Sequence, residues 1–399
     1  MQALIDKINS VFASRRFTVI TLCLITGLVL IAYSNTFTSS FHFDDHPSIV
    51  DNPTIKRVTG DNLTSIFMGN RPVVYLSLML NYSLGGLNVT GYHIFNIAVH
   101  IANSMFVFLL MLWTLNLPAL EAAYRAKAGR MALFGALLFA VHPIQTESVT
   151  YIITRTELLA TFFYLATFLL FFKGATRNNF LYYVGAGVTA FLAAGSKEWA
   201  VTLPALLAIY DFLFLARGDM KAVAARWKAY ALVLLSWLMI YHLLHTTFES
   251  AGQNASIGFN VSTTSGITTK TYFLTSLNVL WTYLRLLVLP IKQNLDYDYP
   301  IAKTLFEFPT ILSFIGHLAV LIAAVWLYRR KGWLLIPFGV AWFYIGISPV
   351  QSIVPIIDII FEHRAYMPSI GFFIIFVTAW EGLFDWWERR RTEKPHVTA

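Results

Sequence analysis

The chain has 399 residues, 57% of them hydrophobic and only 13% charged, with a formal net charge of +8. So few charges cannot cover a water-soluble fold of this size, and the composition is that of a membrane protein with many spans. The basic excess falls in short clusters between apolar runs, where the positive-inside rule puts it, and carries no signal for nucleic acid. The single cysteine, Cys23, excludes a disulfide within the chain.

Lys7, Arg15 and Arg16 precede a first apolar run, 17–36, which has no small-residue cleavage site and reads as an uncleaved anchor. A polar loop, 37–90, follows. Within it the stretch from Pro72 to Tyr82 is apolar but too short to cross, and reads as an amphipathic helix lying in the interface. Further apolar runs occupy 91–115, 130–146, 149–172, 180–196, 199–215 and 229–246. Residues 249–271, rich in Ser, Thr, Gly and Asn, read as a mobile loop over a site. The runs 272–290, 307–328, 333–350 and 366–386 complete the series.

Basic clusters at Arg15/Arg16, Arg125/Lys127/Arg130, Lys173/Arg177, Arg217/Lys221/Arg226/Lys228, Arg329/Arg330/Lys331 and Arg389/Arg390/Arg391 mark the cytoplasmic side. With all of them inside, 272–290 cannot be one simple crossing. It ends at Pro290, carries Lys270, Arg285 and Lys292 at or within its ends, and reads as an interfacial or re-entrant helix on the outer side. The expected fold is an all-α integral membrane bundle of about ten to twelve transmembrane helices with a long first outer loop carrying short amphipathic helices. It forms one polytopic unit, 1–388, whose outer loops 37–90 and 247–306 make an active face, followed by a short basic cytoplasmic tail, 389–399.

The outer loops hold nearly all the acidic and histidine residues. Asp44 and Asp45 stand side by side just past the first run. Adjacent carboxylates at a membrane edge repel, and are stable only with a cation, a proton or a hydroxyl close by. The plainer reading is a turn before Pro47 in which Asp45 accepts backbone N–H bonds. Chemistry on a phosphate-linked sugar needs one carboxylate to take a proton from a hydroxyl and cations to meet a departing phosphate. Arg71, Lys197, Arg285, His363 and Arg364 are the candidate cations; each alone is better read as a snorkelling anchor, and their convergence on one side makes the case.

Other clusters have two readings each. His142, Pro143 and Glu147 break the third run, and Arg155 with Glu157 follows; Arg155 either pairs with Glu157 or Glu147 inside the bundle or joins the site. Lys197 and Glu198 either neutralise each other in a tight turn or serve the site. Glu362, His363 and Arg364 are a loop cap or a phosphate contact. His93 and His100 share a helix face and suit a packed polar stripe better than a metal site, since no carboxylate accompanies them. Asp296 and Asp298, interleaved with tyrosines, suit sugar hydroxyls or an exposed loop. Asp211, at the inner end of its run, reads as structural.

Taken in order, these motifs resemble the TMTC-type members of the GT-C glycosyltransferase superfamily, relatives of the protein O-mannosyltransferases. The resemblance covers about 41–370. It rests on Phe43, Asp44 and Asp45 with Asn52 and Pro53; Arg71 and Pro72; Gly91, Tyr92 and His93 with Asn96 and His100; His142, Pro143, Thr146 and Glu147; Arg155 with Glu157; Lys197 and Glu198 with Tyr210 and Asp211; and His363, Arg364, Tyr366 and Pro368. It implies transfer, with inversion, of a single sugar such as mannose from a polyprenyl-phosphate carrier, Asp44 acting as general base and Asp45 positioning acceptor or donor. Arg71, His93, His142, Glu147, Arg155, Lys197, Glu198, Arg285, Asp298, His363 and Arg364 would bind donor phosphate or sugar.

The expected acceptor is a Ser or Thr hydroxyl of an exported protein such as a pilin, or a glycan or lipid. No metal is expected, although an acidic pair beside a phosphate is able to recruit Mg²⁺ or Mn²⁺. Larger members carry a tetratricopeptide array, which the sequence to residue 399 lacks. The expected location is a bacterial inner membrane with the site facing the periplasm; an endoplasmic reticulum membrane would give the same topology. The competing reading is a transporter or flippase of a lipid-linked substrate, which would place polar groups at mid-bilayer in related halves.

Overall fold

The computed structural model describes residues 15–253, 267–330, 333–356 and 358–392. Lys7, Lys331, most of the loop 249–271 and the end of the tail lie outside these residues. Every regular element among the described residues is helical, as a chain with too few polar groups to solvate sheet edges in lipid requires.

The first helix, α1 (Arg15–Ala32), is followed by the long loop, which carries α2 (Gly60–Met68) and α3 (Pro72–Gly85). The long helices α4 (Val89–Leu115) and α5 (Ala122–Val141) come next, then the one-turn α6 (Thr146–Thr150), α7 (Arg155–Arg177) and α8 (Phe180–Ala194). A broken segment, Glu198–Leu215, contains α9 (Leu203–Tyr210) and passes through α10 (Met220–Ala225) into α11 (Trp227–Leu234) and α12 (Ser236–Gln253). The last four are α13 (Thr269–Val288), α14 (Phe308–Arg329), α15 (Leu335–Ile347) and α16 (Ser369–Thr392). Helix α16 continues through Arg389, Arg390 and Arg391, so the residues expected to begin a tail are its last turn.

Among the described residues, six helical segments are long and apolar enough to cross a membrane: 89–115, 152–177, 198–215, 227–246, 308–329 and 369–391. The pair 122–141 and 143–150 passes the same test together but is bent by 50°. Three shorter apolar helices, 16–32, 180–194 and 335–347, complete the apolar set. The boundaries therefore match the apolar runs of the sequence, while fewer of those runs reach full spanning length than the ten to twelve expected. The bend falls at Pro143, where the ring removes a backbone donor and pushes His142 to an extended conformation (φ −67°, ψ 131°).

Helix α13 is not among the six. Tyr272, near its start, donates to the Val350 carbonyl, Tyr283 donates to Phe361, and the Leu287 carbonyl near its end accepts from His142. Both ends thus meet loops of one face, which agrees with a helix lying along that face.

An aromatic core of Tyr164, Phe168, Tyr210, Phe338 and Trp342 holds α7, α9 and α15 together. At the end of the bundle away from the long loop, Asp211 accepts from Arg226 at 2.6 Å and Tyr230 at 2.8 Å, the structural role its position indicated. There too Arg130 forms a two-pronged bridge to Glu381.

Helices α15 and α16 approach backbone to backbone at Gly339 and Gly371. A Cβ on Gly371 would overlap the Gly339 carbonyl and lie 2.9 Å from the Phe343 nitrogen, neither of which can rotate away. Small residues at such crossings let dispersion act across the whole helix pair. Gly371→Ala is expected to destabilise the protein by about 1–3 kcal/mol, read as a lower Tm in detergent, whereas Gly27→Ala, facing open space, leaves it unchanged.

Candidate active site

The acidic pair divides its labour. Asp45 is 1% exposed. One carboxylate oxygen accepts the His42 N–H at 3.1 Å and the other the Ile153 N–H at 2.8 Å, so it ties the long loop to the turn before α7. This is the turn reading of the sequence extended across the fold, and both of its oxygens are engaged by backbone. Burial pushes the Asp45 carboxyl up to about 6, against the pull of those two N–H bonds. Asp44 is exposed; its own N–H donates to the Tyr151 hydroxyl at 2.8 Å. Phe43 before it holds φ at +43°, a left-handed conformation strained for a bulky residue.

Beside Asp44 lies a cavity of about 350 Å³ lined by Ser39, His42, Glu147, Tyr151, Asn294 and Glu362 among others. Its far wall is a three-way tie: buried Glu362 accepts from Gln293 at 2.5 Å, the Asn294 N–H at 2.8 Å and the Tyr297 hydroxyl at 2.5 Å. Behind Glu147 stands the turn 362–365. The Glu147 carboxylate accepts the His363 N–H at 2.9 Å and its ring Nδ1–H at 2.5 Å. His363 Nε2 sits 4.0 Å from Glu157. Burial, with Lys197 adding to it, holds the imidazole well below its ordinary range, and the ring is neutral at pH 7.

Lys197 bonds Glu157 at 2.6 Å, and Trp199 donates to the other Glu157 oxygen at 2.6 Å. Glu198 instead receives Arg71 through two bonds, of 3.0 and 3.2 Å. Lys197 and Glu198 therefore do not neutralise each other: the extended backbone at Lys197 sends the two side chains to different partners. Arg364 is 8% exposed, stacks on Phe361 and donates to the Ile359 carbonyl at 3.3 Å. It forms no ion pair among the described residues. Asp358 lies within its field, pushed up by burial and by Asp296 and Asp44, with Arg364 pulling the other way.

The expected cations thus converge in part. Arg71, Lys197, His363 and Arg364 surround Glu147 and Glu157 closely enough to act on one another. Arg285 is apart and exposed, donating to Ile291, and Asp298 is exposed on the following loop. His142 spans the bend, its Nε2 donating to Leu287 and its Nδ1 accepting the Ile144 N–H.

Arg155 pairs with neither Glu147 nor Glu157. It is fully buried, donates to Asn96 Oδ1 at 2.8 Å and to carbonyls of Ser77 and Tyr92, and lies 4.2 Å over the Phe95 ring. Its partners lie on α3 and α4 because the first turn of α7 faces them, away from Glu147. His93 and His100 belong to the buried polar stripe of α4: His93 bonds the Ser39 carbonyl, His100 the Ala140 carbonyl and the Tyr366 hydroxyl. No group of three metal-binding side chains is assembled among the described residues.

Sequence reasoning passed over Tyr151, Trp199, Gln293 and Asp358. Tyr151 follows α6 directly and carried a signal in its place beside Glu147. The others reach the site only through folding.

No family model matches the chain, and no solved structure does. Curated relatives do. The chain is 32% identical over 213 residues to mouse protein O-mannosyl-transferase TMTC3, covering 49% of this chain and 22% of the relative. Human TMTC4 is 30% identical over 232 residues, covering 51% and 31%. The Caenorhabditis elegans protein O-mannosyl-transferase F38B6.6 is 29% identical over 296 residues, covering 70% and 39%. The chain is TMTC-like. It spans well under half the length of these relatives.

Asp45→Ala leaves two part-buried N–H groups without their carboxylate acceptor and is expected to lower stability by about 1–3 kcal/mol, while Asp44→Ala leaves Tm unchanged. Because the Asp45 pKa is raised on folding, the unfolded chain loses this proton first as pH rises, so stability from this group declines between about pH 4 and 6 and is level above. Thermal scans across that window should show the slope in the wild type and its absence in Asp45→Asn. Glu157→Gln strands Lys197 at 12% exposure and is expected to cost about 3–5 kcal/mol, measured by denaturation in detergent.

Proposed function

We propose that this protein is a membrane glycosyltransferase of the GT-C type that moves one sugar, mannose first among the candidates, from a polyprenyl-phosphate carrier to a Ser or Thr hydroxyl of an exported protein such as a pilin. The observation that carries this reading is the division of the acidic pair: Asp45 is buried on backbone donors while Asp44 is exposed beside a polar cavity. In this reading Asp44 takes the proton of the acceptor hydroxyl as its oxygen attacks the anomeric carbon. The bond from that carbon to the phosphate oxygen breaks on the opposite face, so configuration inverts. Arg364, buried and outside any ion pair among the described residues, meets the charge on the departing phosphate. Arg71 and Lys197 are held by Glu198 and Glu157 and add field rather than free donors.

The printed names of the relatives, protein O-mannosyl-transferases, support the sugar and the protein acceptor. The reaction as written needs no metal. The basic clusters Arg125/Lys127/Arg130 and Arg389/Arg390/Arg391 sit at the opposite end from Asp44, which supports a site on the non-cytoplasmic side, the periplasm for a bacterial inner membrane. A transporter would gather its charged groups at mid-depth between related halves; here they stand at the two ends of the bundle.

The test is transfer from radiolabelled polyprenyl-phosphate mannose to a Ser/Thr peptide by purified protein in nanodiscs. Turnover is expected to persist in EDTA and to fall at least about 100-fold in Asp44→Asn with Tm unaltered. Undiminished turnover in that variant removes Asp44 as the base. No transfer from any polyprenyl-phosphate sugar rejects the reading.

A further inference from the structure

A cavity of about 730 Å³ lies at the end opposite Asp44. It opens between the first turns of α5 and α15 and the last turns of α16. Tyr124, Trp333, Ile336, Leu383 and Trp386 supply apolar and aromatic walls, and Glu121, Lys127, Glu381, Asp385 and Arg389 the charged lining. Aromatic residues at helix ends on a basic face mark the level of lipid headgroups, so the space lies where a phospholipid has its glycerol and headgroup.

The charges say which headgroup. Lys127 is already held by Asp385 and Glu381, and Arg130 also bridges Glu381. Glu121 caps α5 without a side-chain cap bond, is exposed, and enters no ion pair among the described residues. Arg390 lies 4.3 Å over the ring of Trp386 at the rim, is exposed, and likewise meets no carboxylate among them. An unpaired carboxylate and an unpaired guanidinium therefore flank one apolar cavity. Three carboxylates line it against two cations, and a purely anionic headgroup would leave Glu121 facing negative charge.

We propose that this cavity binds one phospholipid with a primary-ammonium zwitterionic headgroup, the ethanolamine class. The ammonium is received by Glu121 and Asp385, the phosphate by Arg390, and the upper acyl chains lie against Trp333, Leu383 and Trp386. A choline headgroup lacks N–H donors for the carboxylates, and glycerol lacks the positive charge. The site is independent of the sugar-transfer reading.

The experiment is native mass spectrometry of delipidated full-length protein titrated with dioleoyl phosphatidylethanolamine, and with the choline and glycerol lipids of the same chains. One ethanolamine lipid is expected to be retained per protein, with the other two requiring about tenfold higher concentration. Gly382 lines the cavity, and a Cβ there meets nothing within 4 Å. Gly382→Phe should therefore fill the space without disturbing the helix and abolish retention. Glu121→Gln, at an exposed position, should remove the preference for ethanolamine over glycerol. Equal retention of the three lipids, or undiminished retention of the ethanolamine lipid by Gly382→Phe, overturns the proposal.

Discussion

The segment from His142 to Thr154 is buried in protein and yet mostly outside any long helix, and its peptide groups must find partners there. An unpaired N–H or carbonyl in such surroundings costs several kcal/mol. Side chains from elsewhere supply the bonds. Just before the segment, His100 takes the Ala140 carbonyl freed by the bend, and within it Asn96 donates to Ile152 and Asp45 accepts from Ile153. The polar stripe of α4 therefore exists to allow a broken helix pair, and the break is what lets Glu147 and Tyr151 face a cavity.

Seen from that constraint, the site is a second layer resting on a first. The residues closest to the break, Asp45, Arg155, Asn96 and His100, are spent on holding backbone. One step outward, Asp44 is exposed, Glu147 and His363 are bonded to each other, and Arg364 is buried outside any ion pair among the described residues. Neighbours in sequence fall into different layers because successive residues in a turn point in different directions. This is how one aspartate of an adjacent pair becomes structure while the other is available to a hydroxyl.

The two ends of the bundle solve different electrostatic problems. At the Asp44 end, each of Arg71 and Lys197 has a carboxylate within bonding distance, and in the Lys197–Glu157 pair removing one member leaves a nearly buried charge. At the other end, bridges from Lys127 and Arg130 to Glu381 and Asp385 hold α5 to α16, with tryptophans and arginines stacked at the rim. The first arrangement preorganises a polar surface; the second anchors helices where lipid meets water.

Much of this was legible in the chain itself. Composition forced a helical membrane fold, apolar runs marked where the helices lie, and Pro143 announced the bend, because each depends on local chemistry alone. The adjacency of Asp44 and Asp45, and the convergence of Arg71, Lys197, His363 and Arg364 on one side, were also readable from order and topology. Which aspartate would be buried was not, nor that Lys197 would choose Glu157 and Glu198 would choose Arg71, nor that Arg155 would turn to Asn96 and leave the glutamates. Those choices depend on which helix faces which, and a contact across 127 residues, such as Arg71 with Glu198, is set by packing that no local pattern encodes.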